Sequence, residues 1–258
     1  MRNAAARWLR PPVGRADGPL PHVRLVCLPH AGGTAGSYQG WSRHLPDSVE
    51  QLSVQYPGRQ DRLADDPVES MDAMADLLTD VLLELEPLPL ALFGHSMGGL
   101  VAYEVARRLE QRHGIVARHL FVSACPVPGH DRTYLPDPED DGALLAFVDQ
   151  QGGSAAGLYA HPKLGELLLP SLRADFRLLT TYRPPRSAGP LSAPVTALGG
   201  DRDTDCGPAE LDAWSRLTRG AWNRHVLPGG HFYLEDAEAA LLDVIVAELL
   251  TPARPVTR

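Results

Sequence analysis

Three side chains far apart in the chain have the types that act together as nucleophile, base and orienting acid: Ser96, His231 and an aspartate near residue 203. Ser96 is the centre of Gly94-His95-Ser96-Met97-Gly98, a Gly-x-Ser-x-Gly pattern. The apolar run over residues 90–93 has strand length. From residue 97 to 111 the apolar Leu100, Val101, Val105 and Leu109 recur at helical spacing. A serine between strand and helix occupies a sharp turn that leaves its hydroxyl exposed at a helix N-terminus. There, unpaired backbone N–H groups and the helix dipole favour a developing negative charge. Gly94 and Gly98 lack a Cβ, so strand and helix can approach closely.

A serine hydroxyl is a weak nucleophile at neutral pH and needs a base, which in turn needs a carboxylate to orient it. On a strand–turn–helix elbow the partners follow in the order acid, then histidine. His231 fits the base, because it sits in Gly229-Gly230-His231-Phe232 after a strand-like run and before a helix-like one. For the acid, Asp201, Asp203 and Asp205 all lie just past a strand end. The Gly-x-x-Asp spacing from Gly200 favours Asp203, with Asp201 second. The backbone N–H groups of Met97 and of Ala31, in the loop Pro29-His30-Ala31-Gly32-Gly33, are placed to receive an oxyanion. His30 and His95 flank the site and are expected to pack or shape loops, since one base suffices.

The elements that must carry these residues are legible in turn. Strands are expected over residues 23–28, 49–56, 90–93, 120–124, 194–198 and 222–227. Helices are expected over residues 37–45, 71–85, 97–111, 208–217 and 236–250. This alternation predicts an α/β fold with a mostly parallel sheet in a single domain, residues 1–258. Strand signals vanish over residues 125–190. Helical patterns over 143–150 and 163–182, the latter interrupted by Pro170, predict an inserted helical lid. Its apolar residues Leu168, Leu172 and Phe176 are expected to bind substrate and limit its length. Residues 1–20 read as a loose arm with a short edge strand over 7–10.

Composition bounds the function. The 258 residues are 44% hydrophobic and 22% charged, enough for a sizeable core. The net charge of −8 and the lack of Lys/Arg runs argue against nucleic acid or a membrane surface as partner. No run of apolar residues is long enough to span a membrane, and residues 1–18 lack the apolar core of a secretory signal. The 3 cysteines, Cys27, Cys125 and Cys206, are far apart, which points to reduced thiols in a cytoplasm. The 10 histidines form no metal-ligand pair with one another or with the cysteines, so no metal or other cofactor is expected.

With these residues in place, the chain resembles the type II thioesterases of polyketide and nonribosomal peptide synthesis, within the α/β-hydrolase superfamily. The likeness runs over about residues 25–250. It rests on Leu28-Pro29-His30-Ala31-Gly32-Gly33, Tyr56-Pro57-Gly58-Arg59, Gly94-His95-Ser96-Met97-Gly98-Gly99, Leu172-Arg173-Ala174-Asp175-Phe176 and Gly229-Gly230-His231-Phe232. The resemblance implies hydrolysis of acyl groups from the phosphopantetheine arm of a carrier protein, an editing role that clears stalled units. It also implies a mobile lid shaping an acyl chamber, and Asp203 in the acid position. A chain with its own start is expected to be the editing enzyme rather than a cyclising thioesterase cut from a synthase. The competing expectations are an esterase or lipase of small esters, and a non-catalytic carrier-binding module.

Overall fold

Apolar runs of strand length set the architecture. In the computed structural model, which describes residues 4–12, 20–153, 156–159, 161–185 and 189–250, they form one seven-stranded sheet. Its strands are β1 (Leu9–Arg10), β2 (Val23–Leu28), β3 (Val49–Val54), β4 (Leu90–His95), β5 (His119–Ser123), β6 (Val195–Gly200) and β7 (Trp222–Leu227). The order is β1-β3-β2-β4-β5-β6-β7. All neighbours are parallel except β1, which runs antiparallel to β3. Strands β2, β5 and β6 are buried at every position, as a parallel sheet covered on both faces requires. The match to α/β-hydrolase architecture is direct: a mostly parallel sheet flanked by helices.

The helices are α1 (Ala4–Trp8), α2 (Met71–Leu83), α3 (Met97–His113), α4 (Asp141–Gln151), α5 (Ala156–Tyr159), α6 (Pro162–Thr181), α7 (Pro208–Asp212), α8 (Tyr233–Asp236) and α9 (Glu238–Leu250). Met74, Leu78 and Val81 of α2 and Val101 and Val105 of α3 bury one face of the sheet. Leu241 and Ile245 of α9, with Tyr38 and Trp41, bury the other. All three cysteines are buried free thiols. Among the described residues no helix is long and apolar enough to cross a membrane.

Three expectations need correction in detail. Residues 37–45 form a 3₁₀ helix over Ala35–Arg43 rather than an α-helix, opened by the Thr34 hydroxyl accepting from Gly36 N–H. The residues read as an edge strand over 7–10 are helical as far as Trp8, continuing the alanine-rich run Ala4–Ala6, and only Leu9–Arg10 pairs with the sheet. Residues 1–3 and 13–19 of the expected arm lie outside the described residues. Residues 208–217 divide into α7 and a 3₁₀ turn, Ala213–Leu217. Trp214 in that turn is buried and donates its indole N–H to Cys125 O at 2.6 Å.

The sheet order places the site. The chain goes from β2 outward to β3, then returns past β2 to β4 and continues the opposite way. The loops leaving β2 and β4 therefore diverge and open a crevice at the strands' carboxyl ends. Between β5 and β6, helices α4 to α6 rise over that end. They hold a small core of their own, Leu144, Tyr159, Leu172 and Phe176. Helix α6 runs through Pro170. Before the proline Leu164 and Leu167 are exposed, while after it Leu172, Asp175, Phe176 and Leu178 are buried.

The elbow tolerates no side chain on its flanking glycines. A Cβ on Gly94 would lie 2.0 Å from Gly98 O, and one on Gly98 would lie 2.1 Å from Leu28 O. Backbone has no room to yield on either side. Gly98→Ala is therefore expected to cost about 3 kcal/mol or more, at the upper end of overpacking penalties. Urea unfolding followed by circular dichroism measures it.

Candidate active site

Ser96 sits between β4 and α3 with φ 54° and ψ −118°, a left-handed conformation that costs a non-glycine residue on the order of 1–3 kcal/mol. Neighbouring bonds hold it there. Ser96 N–H donates to Ser123 O at 2.8 Å, and Ser96 O accepts from Gly99 N–H at 2.9 Å. Ser96 is half-buried and lines a cavity together with His30, Ala31, Phe176 and His231.

The other two candidates meet from the loops after β6 and β7. A Cβ on Gly200 would lie 2.3 Å from Gly230 O, so this glycine lets the two loops touch. His231 Nδ1 lies 3.0 Å from Asp203 Oδ2. Asp203 Oδ1 accepts from the N–H groups of Asp205 and Cys206 at 2.9 and 3.1 Å. Burial pushes the Asp203 pKa up, but the His231 hydrogen bond and charge and the two backbone N–H groups outweigh it, so the carboxyl titrates below its ordinary value. An ionised carboxylate only accepts, so Nδ1 carries a proton, and in the neutral imidazole Nε2 is then the nitrogen with the lone pair. Among the described residues neither the Ser96 hydroxyl nor His231 Nε2 makes a hydrogen bond, and both side chains line the same cavity.

The remaining aspartates do other work. Asp201 Oδ1 accepts from Gly229 N–H at 2.8 Å and shapes the turn before His231. Asp205 Oδ2 accepts from Gln151 Nε2 at 2.6 Å and joins the acid's loop to the end of α4. His30 and His95 pack edge-on, ring centres 5.8 Å apart, and His95 lies 5.2 Å from His231. Burial, then the His231 and Arg59 charges, lower the His30 pKa to about 3. Burial, then His231 and His30, push His95 well down.

The loop carrying Ala31 is held from several sides. Tyr38 and Tyr56 donate their hydroxyls to Leu28 O and Pro29 O at 2.9 and 3.3 Å. Ala31 lines the cavity, and among the described residues its N–H has no acceptor. Met97 is buried at the first position of α3, where N–H groups have no intrahelical acceptor. Of the three residues expected to bind substrate, Phe176 lines the cavity. Leu172 and Leu168 do not: they turn into the insert's own core, beside Leu144 and Tyr159. Tyr134, Phe147, Val148 and Tyr159 line the cavity instead, on loops and helices whose facing the apolar spacing alone did not resolve. Among the described residues no group of three His, Cys, Asp or Glu could hold a metal ion.

Comparison with known proteins gives a consistent picture. A model of the thioesterase domain matches residues 23–249. Thioesterase PikA5 of Streptomyces venezuelae is 44% identical over 218 residues, which covers 83% of this chain and 76% of that protein. The solved structure of BorB, a type II thioesterase from the borrelidin biosynthetic cluster, aligns with a TM-score of 0.83 at 39% identity, covering 94% of this chain and 97% of that one. YbtT, a type II thioesterase from the yersiniabactin NRPS/PKS biosynthetic pathway, aligns at 0.82 and 29% identity, covering 94% and 98%.

The lowered Asp203 pKa has a consequence for stability. A carboxyl with a depressed folded-state pKa contributes stability above its unfolded value and loses it as pH falls through the folded one. The stability advantage of the wild type over Asp203→Asn is expected to be full at neutral pH and to shrink once pH drops below about 4, the ordinary carboxylate range. Urea-unfolding midpoints of both proteins, compared down the acid range, check this.

Proposed function

The chain belongs to the thioesterase family, and from that premise we propose that it edits a polyketide or nonribosomal peptide synthase by hydrolysing acyl groups from the phosphopantetheine arm of a carrier protein. The observation that carries the reading is local. An imidazole is oriented by a buried carboxylate and shares a cavity with an elbow serine, beside a loop N–H that has no acceptor among the described residues.

In this reading Ser96 Oγ attacks the thioester carbonyl as His231 Nε2 takes its proton. The oxyanion that forms receives the N–H groups of Ala31 and Met97, donors each worth on the order of 10²–10³ in rate. The tetrahedral species collapses, the C–S bond breaks, and His231 returns the proton to the departing sulfur. Water, deprotonated by His231, then attacks the ester carbonyl on Ser96; the C–Oγ bond breaks, His231 returns the proton to Ser96 Oγ, and the acid leaves. The contact between Ser96 and His231 closes as substrate arrives, as such contacts commonly tighten only in the loaded complex. The reaction takes no cofactor of its own, since the pantetheine thiol belongs to the substrate. The enzyme acts in the cytoplasm, where the synthases work. Helices α4 to α6 form a lid within a single domain, and Phe147, Val148, Tyr159 and Phe176 form the wall against which the acyl chain lies.

Ser96→Ala is expected to abolish release of acyl groups while leaving the unfolding curve unchanged. Intact-mass analysis of an acyl-loaded carrier protein, before and after incubation, reads it. Loss of the acyl mass with Ser96→Ala would exclude Ser96, and faster turnover of simple oxygen esters than of carrier thioesters would favour an esterase. Phe176→Ala shortens one wall of the chamber. It is expected to shift the preferred acyl-pantetheine toward longer chains, raising kcat/KM for them at least severalfold, about what one or two buried methylenes contribute.

A further inference from the structure

The Ala31 loop is pinned by a residue of the insert. Asp175, on α6, accepts Gly32 N–H on Oδ2 at 2.7 Å. The same oxygen accepts from Arg59 Nη1 at 2.9 Å, and Oδ1 accepts from Arg59 Nη2 at 2.9 Å. Arg59 Nη1 donates in addition to Gly33 O at 3.0 Å. Both ionic side chains are buried, 2% and 1% exposed. The carboxylate therefore grips the Ala31–Gly32 peptide, through Gly32 N–H, and the guanidinium the Gly33–Thr34 peptide, through Gly33 O, with Gly32, whose φ is +74°, between them. A glycine at that angle swings easily when its bonds are released. The peptide one step back carries the Ala31 N–H.

We propose that Asp175 is a positioning residue for the oxyanion hole: by holding Gly32 N–H, with Arg59 braced against it, it sets the direction of the Ala31 N–H. The inference rests on Ala31 and Ser96 serving as proposed above. It adds that the hole is assembled only while the buried half of α6 is seated. A displacement of α6 that drew the carboxylate off Gly32 would disarm the serine, and return of the helix would rearm it. The coupling runs through side chains that touch no reacting atom.

The test must separate a loose fold from a loose loop. Asp175→Leu alone leaves a buried guanidinium unpaired and strains folding. The double variant Arg59→Met/Asp175→Leu removes both charges, and since Ala31 and Gly32 are half-exposed the freed N–H can turn to water. It is expected to unfold cooperatively, at a somewhat lower urea concentration than the wild type because the buried Gly33 O loses its donor, yet to lose about 30-fold or more in kcat on acyl-pantetheine with KM within about threefold, a partial loss of one oxyanion donor. Affinity for a trifluoromethyl ketone analogue, whose adduct with Ser96 carries the oxyanion, is expected to fall by the same factor. Affinity for the corresponding thioether, which forms no adduct, stays within about twofold. A double variant with kcat within threefold of wild type would overturn the proposal, as would equal losses for ketone and thioether. If the double variant does not fold, Asp175→Asn decides in the same assays: a selective loss of ketone affinity of about tenfold supports the proposal, and no selective loss overturns it. Wild type and Ser96→Ala run alongside. A wild type that fails to hydrolyse the thioester would sink the functional reading instead, so the two failures are distinguishable.

Discussion

The buried pair of Arg59 and Asp175 is the constraint on which the site's geometry depends. Taking two charges out of water costs several kcal/mol for each, and mutual attraction alone seldom returns it. Here the pair is bidentate and makes two further bonds, to Gly32 N–H and to Gly33 O. An apolar pair of the same volume would pack as well, but would leave those backbone groups without partners and the loop untethered. The charges at this position suit a loop that must hold one N–H free, because they hold its neighbours fast.

The serine elbow is the second constraint, and its supports are separate from the first. Its left-handed backbone at Ser96 is maintained by β5 through Ser123 O and by the absence of side chains at Gly94 and Gly98. That fixes the hydroxyl at one side of the crevice between β2 and β4. The opposite side is the Ala31 loop, which takes its shape from Tyr38, Tyr56, Arg59 and Asp175. Beyond lining the cavity, the insert hydrogen-bonds to both of the site's loops: through Asp175 at the Ala31 loop, and through Gln151 at Asp205, two residues from the carboxylate that meets His231. A cover joined to both sides of a cavity reports its own position to each.

Much of this was legible in the sequence, for physical reasons that also mark where legibility stops. Strand β2 stands where its largely apolar run predicted it, because burial on a pleated surface leaves that trace, and β7 stands over the predicted residues although none of its positions is buried. The spacing from Gly200 pointed to Asp203, the aspartate that meets His231, because the turn after β6 needs a fixed number of residues to bring a carboxylate back over the sheet edge. Leu168 and Leu172 share the apolar face of α6 with Phe176, and periodicity marks that face without saying what lies opposite each part of it. Leu172 meets Gly32 and Tyr159, and Phe176 meets the cavity. The Arg59 and Asp175 motifs stood out by resemblance, but 116 residues separate them. No local pattern tells that a charge in one loop finds its partner on a distant helix.

Environment also decides which of three clustered histidines is fit to move protons. His30, His95 and His231 lie in one aromatic group with Phe232, and composition alone treats them alike. Burial holds the first two neutral far below neutral pH. His95 is committed further, its Nδ1 to Ser123 Oγ at 2.9 Å, with Ser123 Oγ in turn 2.7 Å from the Tyr233 hydroxyl. A ring that cannot accept a proton without losing the solvation of its charge is a poor base, however close it stands to the serine. His231 differs in one respect: an ionised carboxylate lies against its Nδ1, and an imidazolium formed there is compensated as it appears. In the proposed reaction the base is thus selected by Asp203, and His30 and His95 are its neutral neighbours.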